Sequence, residues 1–264
     1  MLDVHPPEHA AHSWRDFFIH IATIVIGLLI AIGLEQTVEW IHHRHEVRET
    51  REALEVERKD NRKAFAADTA VFHLIAAEQQ NDILVLQYLK QHPGTPEGEL
   101  PGTLVYISPF DAFNDGSWKT AESTGVTSLI PRAEVTENTD LYGELSFSMA
   151  EFATLFSAMT KAEEFRYTDP DLSHMTPAQI DKQIELTAAC LDLTFRWGGT
   201  LYALHGNHPD FAPAPTSAEL YALNRHNRSP AETQAAAPAA AHTQDRIGAL
   251  QVAANAAMEA AEGK

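Results

Sequence analysis

An all-α fold is the expectation for this chain: a single N-terminal transmembrane helix continuing into a long helix and an antiparallel bundle of about four helices. Three observations predict it. Residues 17–34 read FFIHIATIVIGLLIAIGL, an 18-residue run with one histidine and no Asp, Glu, Lys or Arg. Between residues 34 and 92 there is no glycine and no proline, so nothing interrupts a helix that leaves the apolar run. Further on, Tyr142, Leu145, Met149, Phe152, Phe156 and Met159 recur at alternating spacings of three and four, which places them on one face of a helix.

The apolar run is long enough to cross a bilayer as a helix, and residues 17–41 are read as that span behind a tail of residues 1–16. Trp14 and Trp40 stand 26 residues apart, ~39 Å along a helix, which sets both indoles at the two interfaces as anchors. Two other readings compete. A cleaved signal peptide finds a small-x-small site at residues 31–33, although only Arg15 is basic in the first 16 residues and helical sequence continues past the cut. A core helix of a soluble domain is the other. Within the span, Thr23, Gly27 and Ala31 are four apart, and this small-residue face is a packing surface on which a second copy could lie, giving a homo-oligomer.

Residues 42–64 are polar on every side, a charged helical stalk or loose coiled coil with pairs such as Glu55 and Lys59 at i,i+4 spacing. Residues 65–228 read as the bundle, entered where Phe65, Val71, Phe72, Leu74 and Ile75 gather. It is interrupted at residues 92–117 by a long loop rich in proline and glycine, with at most one short strand at residues 104–107. This loop is a candidate functional surface or a padded crossover. Thr176-Pro177-Ala178-Gln179 is a capping box with proline at the first helical position. The helix after it is apolar on two faces, one carrying Ile180, Ile184, Leu191 and Leu201 and the other Leu186, Cys190, Leu193, Trp197 and Leu204, as suits a central helix. Capping boxes recur at residues 216–219 and 229–232, and residues 229–264 form an alanine-rich tail.

The net charge of −18 disfavours a nucleic-acid partner. Cys190 is the sole cysteine, which excludes an intramolecular disulfide and a cysteine-based zinc or iron–sulfur site within one copy. His42, His43 and His45 lie near Glu39 and Glu46 at chelating spacings, but interface anchoring explains them as well, and His205 and His208 read as solvated loop residues. There is no G-x-S-x-G elbow, P-loop or G-x-G-x-x-G turn. No catalytic residue, cofactor or metal site is therefore assigned, and the chain reads as non-enzymatic. The flanks of the span carry Arg15 on one side and Arg44, Arg48 and Arg51 on the other, a positive-inside count that points the bundle to the cytoplasm. Residues 92–264, however, hold 10 Lys+Arg against 23 Asp+Glu and impose little retention there.

Two passages resemble an uncharacterised family of bacterial single-pass membrane proteins, a domain of unknown function. One is residues 26–35, IGLLIAIGLE, running on through Trp40 to Arg51; the other is residues 117–130, SWKTAESTGVTSLI. The resemblance implies an inner-membrane location with the helical part outside the cytoplasm, and it names no activity. Physically, Gly125 would end a short helix and Leu129 and Ile130 would cap the core. The expected function is a membrane-anchored interaction, scaffold or sensing module whose partners are the bilayer, a second copy and a protein of unknown identity. The alternative is a tethered bundle that binds a small ligand or metal.

Overall fold

The computed structural model describes residues 14–106, 110–212 and 252. It is all-α, with no strand among the described residues. Helix α1 spans Trp14–Gln91, 78 residues without a break, or ~117 Å at the helical rise. Three elements follow a long connection: α2 (Gly116–Thr124), α3 (Arg132–Glu163) and the single turn α4 (Phe165–Thr168). Helix α5 (Pro177–Asn207) closes the described part. The capping boxes near residues 216 and 229 and the alanine-rich tail lie outside the described residues, apart from Val252.

Helix α5 packs along both α1 and α3 and is the central helix that its two apolar faces require. Its start is the expected capping box: Thr176 Oγ1 accepts from the Gln179 N–H, while Gln179 Oε1 accepts from the Thr176 N–H. Directions follow from the cross-links. Arg51 pairs with Glu134 and Arg58 with Glu137, so α1 and α3 run parallel. Lys90 pairs with Asp181 at one end of the bundle while Phe65 meets Phe211 at the other, so α5 runs antiparallel to α1.

Two parallel neighbours must be joined by a chain that returns the full height of the bundle, and residues 92–117 do this. Apart from one turn at Glu97–Glu99 the described part of this connection is irregular, residues 104–106 included, so the short strand is absent there; Ile107 is not described. The packed part of α1 begins at Leu54, well before Phe65. Glu57 and Asn61 already belong to the buried face, where they hold the connection by hydrogen bonds at Ser117 and Asn114.

At the centre, Phe152 of α3 stacks on Phe110 of the connection with ring centroids 3.7 Å apart and meets Trp197 of α5 at 4.9 Å. Phe72 of α1 closes this aromatic group against Trp197 at 6.3 Å. Gly198 is what admits it: a Cβ there would stand 2.4 Å from Phe72 Cε2. The rest of the α3 seam behaves unevenly. Tyr142, Leu145 and Met159 are buried, whereas Phe156 remains exposed beside the Phe152 ring. Gly125 ends α2 in the left-handed region, φ 80°, as a C-cap. Ile130 is buried below it, but Leu129 is largely exposed.

Candidate functional site

The expected membrane residues all fall on the N-terminal part of α1. Its 18-residue apolar window has no buried fraction at all, which sets aside the reading as a core helix of this chain. Thr23 donates to the Ile19 carbonyl within the helix, and nothing approaches a Cβ built on Gly27. The Thr23, Gly27, Ala31 face is therefore open along its length among the described residues. Trp14 is exposed beside Phe17 and Phe18, and Trp40 is exposed under the Arg44 guanidinium, 5.3 Å from its ring centroid.

The histidines do not converge. His42, His43 and His45 each face one glutamate, Glu46, Glu39 and Glu49, along the helix. No group of three metal-ligating side chains forms among the described residues. His205 and His208 depart from the solvated expectation. The His205 ring bonds the Ala212 carbonyl and the His208 ring sits half-enclosed 3.8 Å from Glu144, because residues 208–212 fold back onto the bundle.

The arrangement that sequence reasoning missed lies on the packed face of α1. A non-helical segment buried against a helix finds no backbone partners there, so its N–H and C=O groups need side-chain partners. Helix α1 supplies them as a ladder. The Val105 N–H donates to both Asp82 oxygens, at 3.1 and 3.3 Å. The Asp111 N–H donates to Asp68 Oδ1 at 3.1 Å. Asn114 exchanges both of its backbone groups with the Asn61 amide, each at 2.7 Å. The Ser117 N–H donates to Glu57 Oε2 at 2.7 Å, so Glu57 caps the first turn of α2 from another helix. Higher up, the Asn81 amide donates to the Thr103 carbonyl.

From Glu57 to Asp82 the ladder climbs ~38 Å, and the 12 residue steps from Ser117 back to Val105 can reach at most ~43 Å. The connection thus descends along α1 as a strap whose described residues are anchored rung by rung. Gly102 marks its entry, where a Cβ would come within 3.0 Å of Asn81.

Burial gives the two aspartates of the ladder unusual acidity. Both are fully enclosed. Loss of solvation raises the Asp68 pKa well above the usual carboxylate range despite the Asp111 N–H, and among the described residues Asp68 Oδ2 has no hydrogen-bond partner. Asp82 is pushed up to about 8 by burial, with the neighbouring Glu78 adding to the shift; the Val105 N–H and the Arg166 guanidinium oppose it. Around Asp82 the interior is polar. Gln183 donates to the Tyr106 hydroxyl and the Ala162 carbonyl, the Thr187 hydroxyl donates to the Gln183 carbonyl, and the Thr194 hydroxyl donates to Gln79. The Cys190 thiol is buried and pushed up to about 11, chiefly by lost solvation, so it stays protonated.

One signal for this ladder was present in the sequence. Asn61, Asp68, Ile75, Asp82 and Leu89 are seven apart and share one helical row, which mixes polar with core residues. Glu57, Ala64, Val71, Glu78 and Val85 form the adjoining row. No protein-family model, no curated protein and no solved structure matches this chain.

Proposed function

We propose that this chain is a membrane-anchored, single-pass, non-enzymatic interaction, scaffold or sensing module. The observation that carries the reading is the wholly exposed apolar half of α1, continuous with a bundle to which it contributes no core. Water does not tolerate such a length of exposed Ile, Leu, Val and Phe, whereas a bilayer solvates it. The inner membrane of a bacterium, a helical part outside the cytoplasm and kinship with the uncharacterised single-pass family belong to the same proposal. So does self-association along Thr23, Gly27 and Ala31. The non-enzymatic reading is supported by the buried polar groups themselves: Gln183 and Thr194 tie α5 to the strap, to α3 and to α1, and the buried thiol is protonated.

Extraction of membranes with alkaline carbonate tests the anchor. The full-length chain is expected to stay with the lipid, and its release into the soluble fraction would refute the proposal. A reporter active only outside the cytoplasm, fused after Lys264, is expected to be active; an inactive reporter on a stable fusion would place the bundle on the cytoplasmic side.

A further inference from the structure

The chain between α3 and α5 is folded around a hollow of about 250 Å³, walled by the last turn of α3, by α4, by the loop after it and by the first three turns of α5. Its most deeply buried lining residue is Gln183, 4% exposed. The orientation of that amide is fixed by chemistry. The Ala162 carbonyl can only accept, and it stands 2.6 Å from one end of the amide, so that end is the NH2 group, which also donates to the Tyr106 hydroxyl at 2.8 Å. The other end, Oε1, accepts no hydrogen bond among the described residues and is not sealed from solvent. A buried side chain therefore holds an unused acceptor towards the hollow, where only a donor from outside the chain can satisfy it. The charged groups around it fall into two sets. His174 Nδ1 lies 2.9 Å from Asp169 and Nε2 lies 3.5 Å from Asp171, and the Asp169 hydrogen bond and charge raise the His174 pKa, so these three satisfy one another. Lys161 and Glu164, at the end of α3, form no ion pair among the described residues, and Lys182 meets Glu185, which does not line the hollow. Phe165, Met175 and Leu186 are half-buried and give it an apolar wall.

We infer that this hollow is a binding site for a free apolar amino acid. The ligand's ammonium group is received by Gln183 Oε1 and the Glu164 carboxylate, its carboxylate by Lys161 and Lys182, and its side chain by Phe165, Met175 and Leu186. An ammonium has three donors and satisfies a carbonyl and a carboxylate together. An inorganic anion would leave the Gln183 acceptor without a donor and would meet Glu164 as a like charge; a hydrocarbon would bury that acceptor unpaired. The volume lies below that of pockets for drug-sized ligands, which excludes nucleotides and longer peptides. The site is built by the bundle alone, so it goes beyond the anchoring reading and stands or falls separately from it.

Isothermal titration calorimetry of the full-length chain in detergent with L-valine, L-leucine and L-methionine tests it. At least one of them is expected to bind at a single site per chain. Its amide, which lacks the carboxylate, and its deaminated acid, which lacks the ammonium, are each expected to bind about tenfold more weakly. In Lys161→Gln the affinity for the amino acid is expected to fall by about threefold, while that for its amide stays the same. No binding up to about 10 mM, analogues that bind as well as the parent, or a Lys161→Gln chain that loses affinity for parent and amide equally or for neither, would overturn the site. If Lys161→Gln loses its helical circular dichroism, the analogue series on the wild-type chain decides alone.

Discussion

Asp82, Asp68 and Glu134 show how one residue type can act on stability in opposite senses. Glu134 accepts two hydrogen bonds from Arg51, which holds its pKa below the ordinary value. Its contribution is present above that value and is lost as the pH falls through the folded one. Asp68 and Asp82 are raised instead, so their contributions are greatest in acid and fade as the pH rises, that of Asp82 until about 8. The thermal midpoint of the bundle is accordingly expected to peak near pH ~4, and the double variant Asp68→Asn, Asp82→Asn to flatten the alkaline side of that curve. Scanning calorimetry in detergent across pH measures both. At Gly198 the constraint is space rather than charge. Gly198→Ala would drive a methyl group into the Phe72 ring, and a loss of about 1–3 kcal/mol is expected in denaturant unfolding.

The strap is the element whose role was least legible. Its proline and glycine content excluded a helix, and its length marked it as a surface or a padded crossover, but its sequence does not say which groups satisfy its backbone. Those groups sit on α1, between 22 and 60 residues away. Glu57 fell within residues 42–64, read as a charged stalk, because helical periodicity alone does not distinguish a polar row facing water from one facing an irregular segment. Phe110 is the strap's apolar anchor, and Phe110→Ala is expected to cost about 2–3 kcal/mol, with faster exchange across residues 110–115 and helix content unchanged. By contrast α1 was readable from end to end, because an uninterrupted run of good helix formers needs no tertiary partner to be recognised. In its apolar half, Ile26→Arg is expected to weaken membrane retention, by about 2.5–3.5 kcal/mol for a charge at mid-bilayer, which carbonate extraction reads as partial release.

At the scale of the molecule, the bundle and the apolar helix are two structures sharing one helix. Among the described residues every fully buried large side chain lies beyond Leu54, so deleting residues 1–41 is expected to yield a detergent-free bundle with a melting temperature within about 3 °C of the parent, since surface changes away from the core shift stability little. From residue 34 to Arg51 the helix rises ~25 Å, a length that under the proposed anchoring would hold the acidic bundle away from the lipid surface. The amino-acid sequence by itself determined the all-α class, the uncharged run, the unbroken α1, the capping box of α5 and the α3 seam. Each of these is written in spacings of at most a few turns, where local backbone preference and side-chain periodicity act. Tertiary structure alone decided that α1 and α3 run parallel, that a strap fills the slot between them, and that three carboxyl groups and two asparagines of α1 hold it. Those outcomes depend on which distant backbone groups are left unpaired when the helices pack, a requirement that exists only once the chain has closed on itself.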